Sequence, residues 1–314
     1  MVLPETSIVR ITNAIGMNII KLRPLWYAFS GTLIAASIAV WIVFGFTLGI
    51  DFTGGSVLSA RFEGDRPSTV EIERSLDGVD VGTLVVQPVG ERDANIRMKT
   101  LTEAEHTAVS EKLTATFRGV TELSFNAIGP AIGAELREKA IKALIIAFIA
   151  IMAYVAYSFR RVSVPVESWK YGAVTIAAAF HDTILPAGAM VLLGKLNGWE
   201  VDTSFVVAIL TVMGYSINDT IVVLDRIREN LHRMSGSFEH IVHESLKQTY
   251  VRSINTTLTT LLAIVAVYLF GGQSLRPFAL TLAIGIATGA YSSIFIAPSL
   301  LVTWNAFKRR NASS

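Results

Sequence analysis

Residues 25–48 read LWYAFSGTLIAASIAVWIVFGFTL, a stretch without a single charge. Lys21 and Arg23 stand just before it, and Gly49-Ile50-Asp51-Phe52-Thr53-Gly54-Gly55 follows. A helix of about 20 apolar residues crosses a hydrocarbon core of roughly 30 Å, so this stretch predicts a first membrane span. A cleavable export signal has a shorter apolar core and an A-x-A-like exit. The glycine-rich exit here predicts an uncleaved anchor. Five further apolar stretches follow at Ala140–Phe159, Tyr171–Leu193, Thr203–Leu224, Ser253–Phe270 and Pro277–Trp304. The predicted fold is therefore a polytopic α-helical bundle of six transmembrane helices. Pro186 falls inside the third span and predicts a kink or local opening there.

Composition agrees. The chain of 314 residues is 52% hydrophobic and 17% charged, with mean hydropathy +0.51. A soluble chain runs nearer about 45–50% apolar and about 25% charged. Net charge is only +2, and no Lys/Arg run interleaves with aromatics, so no nucleic-acid partner is expected. The chain has no cysteine, which excludes disulfides and thiolate metal sites. There is no G-x-x-x-x-G-K-[ST] loop, no HExxH and no nucleophile elbow. The expectation is a protein that is not an enzyme and holds neither a metal nor a cofactor. Before the first span, Ile8, Ile11, Ile15 and Ile19 have helical spacing within Thr6–Lys21, which reads equally as an amphipathic lead-in or a disordered tail.

Between the first two spans lies a polar segment. Ser56–Phe62 alternates as a strand, and Pro67–Leu76 reads as a helix. Thr83–Pro88 and Asn95–Lys99 read as strands joined around Gly90–Asp93. Thr102–Phe117 is a helix opened by a Thr102-x-x-Glu105 capping box, and Val120–Ile128 is a last strand. The order βαββαβ is that of a small α+β ferredoxin-like domain. Lys and Arg set the orientation. With the N-terminus inside, the inner segments hold Lys21, Arg23, Arg160, Arg161, Lys170, Arg226, Arg228, Arg233, Lys247, Arg252, Lys308, Arg309 and Arg310. The two short outer loops hold only Lys195 and Arg276. The expected layout is a cytoplasmic segment over 1–24, a first transmembrane helix over 25–48 and an extracytoplasmic α+β domain over 49–137. A five-helix transmembrane region over 138–306 and a cytoplasmic tail over 307–314 complete it.

A charge at the bilayer centre costs on the order of 2.5–3.5 kcal/mol. Asp219, in Gly214-Tyr215-Ser216-Ile217-Asn218-Asp219-Thr220, lies about 9 Å from the inner end of its helix, from the rise of about 1.5 Å per residue. It reads as a proton-carrying carboxylate, or as one locked in a structural pair. Arg252 at the inner end of the fifth span is its expected partner, or else a positive-inside anchor. Thr256 and Thr259 share the Arg252 face, and with Asn255, Thr257 and Thr260 they read as a wet path or as helix–helix glue. His181 and Asp182 in the third span read as a relay or as a hydrogen-bonding pair; neighbours diverge by about 100° and cannot both face one partner. Gly285-x-x-x-Gly289 permits close packing, and Arg226, Arg228 and Glu229 read as a solvated helix end, a reading not extended to Asp225. Gly49, Gly54 and Gly55 read as a structural hinge at the domain junction, with Asp51 capping a local turn.

Several of these stretches together resemble the SecD/SecF family. They are Leu48 to Gly55, Gly129-Pro130-x-x-Gly133-x-Glu135-Leu136, and the Gly214–Thr220 run followed by Asp225-Arg226-Ile227-Arg228-Glu229-Asn230. Gln248-Thr249, Arg252-Ser253 and the threonines to Thr260 complete the resemblance, which favours the SecF side. Leu224 and Ala290 depart mildly from the pattern. The resemblance implies half of a bundle of the RND type, paired with SecD, in the bacterial cytoplasmic membrane. It implies association with SecYEG and YajC, and work on a translocating preprotein driven by protons as coupling ion. It also implies proton coupling by Asp219 and Arg252, near which Asn218, Thr256, His181 and Asp182 are candidates. Gly129, Pro130 and Gly133 join the hinge set. Two other functions compete. One is a half-unit of an RND-type small-molecule or lipid exporter, which usually carries a far larger outer domain. The other is a passive translocon assembly factor, for which Asp219→Asn is silent.

Overall fold

The structure, a computed structural model, describes residues 19–160 and 166–311. Most of the lead-in read over Thr6–Lys21 lies outside these residues, as do Arg161 and the side chains of Lys308, Arg309 and Arg310. The described residues divide into two compact units, one helical and one α/β.

The α/β unit draws on residues 44–143 and 191–206. In it β1 (Gly55–Arg61), α2 (Thr69–Ser75), β2 (Val85–Val89), β3 (Asp93–Met98), α3 (Glu103–Thr116) and β4 (Thr121–Ile128) follow one another. The antiparallel sheet has the order β2-β3-β1-β4, the ferredoxin-like arrangement that βαββαβ predicts. Alternation buries one face: Leu58 and Ala60 of β1, with Ala94, Ile96 and Met98 of β3, pack under Ile72, Val109 and Leu113. Thr102 caps α3 as expected, its backbone N–H meeting Glu105 Oε2 at 2.7 Å. That bond, with help from Lys99 and the Thr102 hydroxyl, holds the Glu105 carboxyl down at about 2. The first helix starts later than Pro67. Ser68 accepts the Glu71 N–H, and the cap lies outside the helix it opens.

The long helices are α1 (Arg23–Phe44), α4 (Pro130–Ser158), α5 (Ser168–Asn197), α6 (Thr203–Arg233), α7 (Phe238–Phe270), α8 (Arg276–Tyr291) and α9 (Ala297–Asn311). A π-helical turn, Ser292–Ile296, joins α8 to α9, so these two make one span. Among the described residues, six helical stretches are long and apolar enough to cross a membrane. The surface of α1 is inverted relative to a helix of a water-soluble bundle. In α1 the buried residues are Ser30 and Ser37, whereas Ile42 is 79% exposed and Phe29 and Val43 are exposed with it. In this helix small polar residues face in and large apolar ones face out, the pattern of a helix solvated by lipid. Gly188 of α5 abuts Ser37 of α1, and Gly285 and Gly289 of α8 admit Val212 and Ser216 of α6. Pro186 lies within an unbroken α5. A cluster including Phe159, Tyr171, Leu224, Leu246 and Leu301 closes the helical unit.

Candidate functional site: two buried carboxylates held by serines

Asp219 is buried on α6. Its Oδ1 accepts from Ser253 Oγ of α7 at 2.7 Å, and its Oδ2 accepts from Ser293 Oγ of the π turn. Both serines are fully buried. Arg252 is not brought to Asp219. It is exposed and makes no ion pair among the described residues. The reason is helical geometry: Ser253 takes the α7 position facing α6, and its neighbour is turned about 100° away. Asn218 and Thr256 are likewise exposed, and the Thr256 hydroxyl returns to its own helix, 3.0 Å from Arg252 O.

Asp182 of α5 is fully buried. Its Oδ1 lies 2.7 Å from His181 Nδ1, and its Oδ2 accepts from Ser292 Oγ at 2.6 Å and from Ser216 Oγ of α6. The ring curls back to its neighbour, while the outer atoms of the two side chains go to different helices. His181 Nε2 lies 3.2 Å from Ser30 Oγ of α1, which lies 3.1 Å from Tyr291 OH of α8. Tyr291 OH in turn donates to Trp26 O at 3.3 Å.

The direction of this chain follows from its end. A carbonyl only accepts, so Tyr291 donates, Ser30 donates to Tyr291, and Nε2 carries a proton toward Ser30. One further proton lies between Nδ1 and Oδ1, on the ring as an ion pair or on the carboxyl as a neutral pair. Asp182→Ala would leave His181 and Ser216 without the acceptor they share, and Ser292 with only Gly289 O, in a buried site. The expected loss is about 3–5 kcal/mol, read as thermal unfolding in lipid nanodiscs. Asp182→Asn keeps shape and an acceptor and should lose less.

The serines escaped the sequence reading, because Ser and Thr in spans are so often packing glue. One signal existed: Ser216 and Asp219 stand three apart on one face of α6. At the end of that helix Arg228 pairs with Asp225 at 2.7 Å and Arg226 with Glu229 at 2.8 Å, an ordinary charged terminus.

Within the α/β unit Gly54, Gly55 and Gly133 of the hinge set are tightly packed. Gly54 has φ +71°, and a Cβ there would lie 2.7 Å from Pro130 Cα. A Cβ on Gly133 would lie 2.7 Å from Gly54 N, and Gly55 has φ +124°. Gly129 meets open space at the start of α4, and Pro130 takes the first helical position, where a missing N–H costs nothing. Gly49 N–H donates to Val201 O at 2.9 Å. Asp51 does not cap its own turn. Its Oδ2 accepts the Thr203 N–H at 2.9 Å and the Thr203 hydroxyl, so it caps α6 beside Asp202, whose Oδ1 accepts Phe205 N–H at 2.8 Å.

Arg97 of β3 clamps the same junction, donating to Glu200 Oε1, to Leu48 O at 3.1 Å and to Thr53 Oγ1 at 3.1 Å. Burial pushes the Glu200 carboxyl up, against the pull of Arg97. Arg97→Leu removes that pull, so Glu200 should rise further. A raised carboxyl stabilises the fold below the ordinary glutamate range and loses that contribution as pH rises through the folded value. The Arg97→Leu penalty is therefore expected to be largest, about 2 kcal/mol, near pH 8 and to shrink toward pH 5. Melting curves at the two pH values check this; a penalty equal at both excludes it.

Membrane-length helices around two buried, serine-held carboxylates, with a small α/β domain, describe a multipass membrane protein. Residues 108–306 match the model of "Protein export membrane protein SecD/SecF, C-terminal", and residues 39–65 match the "SecD/SecF GG Motif". Protein translocase subunit SecF of Thermobaculum terrenum is 40% identical over 302 residues, covering 92% of this chain and 94% of that one. Protein translocase subunit SecDF of Thermus thermophilus is 37% identical, covering 92% of this chain and 39% of that one. The crystal structure of Thermus SecDF, a translocon-associated membrane protein, matches with TM-score 0.80 at 34% identity, over 91% of this chain and 38% of that longer chain. This chain belongs to the SecF family of protein translocase subunits.

Proposed function

We propose that this translocase subunit pairs with SecD, a chain of SecD type being the remainder of the fused SecDF relative, and uses the proton gradient to promote late steps of preprotein export. The observation that carries the proposal is the pair of hydroxyls around Asp219. A hydroxyl both donates and accepts. It serves an ionised carboxylate as donor and a protonated one as acceptor, so Asp219 can exchange a proton inside the bundle without stranding a charge. A fixed guanidinium would hold it ionised. Arg252, next to Ser253 on α7, supplies a positive charge near the inner end of the path, and the proton on Asp219 governs how strongly that charge is drawn in.

The Lys/Arg asymmetry supports an N-in, C-in orientation in the bacterial cytoplasmic membrane with the α/β domain outside. There the domain acts on an emerging unfolded preprotein, next to SecYEG and YajC. Protons are the coupling ion, and no other cofactor is needed. Its small size disfavours an exporter's drug pocket. The test is preprotein translocation into membrane vesicles supplied with ATP, with and without a proton gradient, for wild type, Asp219→Asn and Arg252→Met. Loss of the gradient-dependent increment in the variants, with the ATP-driven part intact, is the expected result. An intact increment sinks the proposal and leaves a passive assembly role.

A further inference from the structure

The π turn places two consecutive serines on two different carboxylates: Ser292 on Asp182 of α5, and Ser293 on Asp219 of α6. Each serine also has a second acceptor in its own helix. Gly289 O is 3.1 Å from Ser292 Oγ, and Ala290 O is 3.0 Å from Ser293 Oγ. A hydroxyl has one proton to give, so each serine serves either its carboxylate or its own backbone. An ionised carboxylate wins, because charge-assisted bonds are roughly twice as strong as neutral ones. A protonated carboxyl instead donates to the serine oxygen, and the serine proton turns to the backbone carbonyl. The π-helix is rare, occurs mostly as single turns inside α-helices, and such turns are frequent at functional sites.

We propose that Ser292 and Ser293 are positioning residues that couple Asp182 to Asp219 through the π turn, so that the two carboxyls gain and lose protons together. This rests on the reading of Asp219 as a proton carrier. Two ionised carboxylates hold the turn by two charge-assisted bonds. Neutralising one replaces its charge-assisted bond by a weaker neutral one, the turn relaxes toward its own carbonyls, and the other serine withdraws from its carboxylate. A carboxylate that loses a donor binds its proton more tightly. Direct repulsion has the opposite sign: a neutral residue at 182 would ease ionisation at 219. Among the described residues, the titratable groups hydrogen-bonded into this network are His181 of α5 and, through Ser30 of α1, Tyr291 of α8. The bonds from α6 and α7 to the carboxyls come from Ser216 and Ser253. Arg252 is exposed.

The experiment is an infrared difference titration of the full chain reconstituted in lipid with SecD. It follows the carboxyl band of protonated Asp219, assigned by its loss in Asp219→Asn. Asp182→Asn is expected to raise the Asp219 midpoint by about one pH unit, a tenfold gain in proton affinity. Ser292→Ala is expected to do the same, and Asp182→Asn added to it should give no further shift. Ser292→Thr keeps the hydroxyl and should keep the wild-type midpoint. A lowered or unmoved midpoint in Asp182→Asn overturns the coupling while leaving Asp219 as a proton carrier. Absence of any Asp219 transition overturns both. If Ser292→Ala does not assemble, the sign of the Asp182→Asn shift decides alone.

Discussion

Asp219→Asn is expected to remove the whole gradient-dependent increment of preprotein translocation and to leave the protein nearly as stable as wild type. The two halves of that expectation have separate causes. Asparagine matches the carboxylate in shape, its carbonyl accepts from one serine, and its amide donates to the other. The stability cost should therefore stay near about 1 kcal/mol, the scale of one altered hydrogen bond. Function is another matter, because an amide cannot carry a proton. One charge moved through 100 mV is worth about 2.3 kcal/mol, enough to bias a two-state bundle more than tenfold. If Asp219 is the carrier, as proposed, its loss forfeits all of that bias. Vesicle assays report the increment, and melting in nanodiscs reports the stability. A variant that loses both together would point to simple misfolding, and Asp219→Glu, which restores the carboxyl, should then fail to restore either.

Gly54→Ala is the second large effect, and it acts on stability. The residue sits at φ +71°, ψ 170°, a region essentially reserved for glycine, where an L side chain costs about 1–3 kcal/mol. Its new Cβ would lie 2.7 Å from Pro130 Cα and 3.0 Å from Pro130 N, atoms of a rigid ring that starts a helix. Overpacking of this kind costs about 1–3 kcal/mol more. A total of about 3 kcal/mol corresponds to a fall in Tm on the order of 10 °C. Gly129→Ala is the control. A Cβ there meets open space, and φ is not positive, so its loss should stay within about 1 kcal/mol. Equal melting of the two variants would show that neither the backbone conformation of Gly54 nor crowding against Pro130 limits substitution there.

Both the helical bundle and the α/β domain were legible because each rests on local pattern. An uncharged run from Leu25 to Leu48 is long enough for lipid whatever surrounds it. Alternation in Ser56–Phe62 and the Thr102–Glu105 cap likewise act over a few residues, and the strand order follows from βαββαβ connectivity. Asp219, Asp182 and His181 were visible as costly polar groups in apolar helices. Their partners were not. Ser293 meets Asp219 across 74 positions, and Asp51 caps Thr203 across 152. Nothing in the composition of Ser292–Ile296 announces a π turn. A helix of given composition can be rotated about its axis at little local cost. Which of two neighbours, Arg252 or Ser253, turns toward Asp219 is therefore settled when glycines such as Gly289 let the helices close and fix their rotation. Length and periodicity act within a segment and were readable in the chain; the pairing of buried polar groups is a property of packed segments and appeared only in three dimensions.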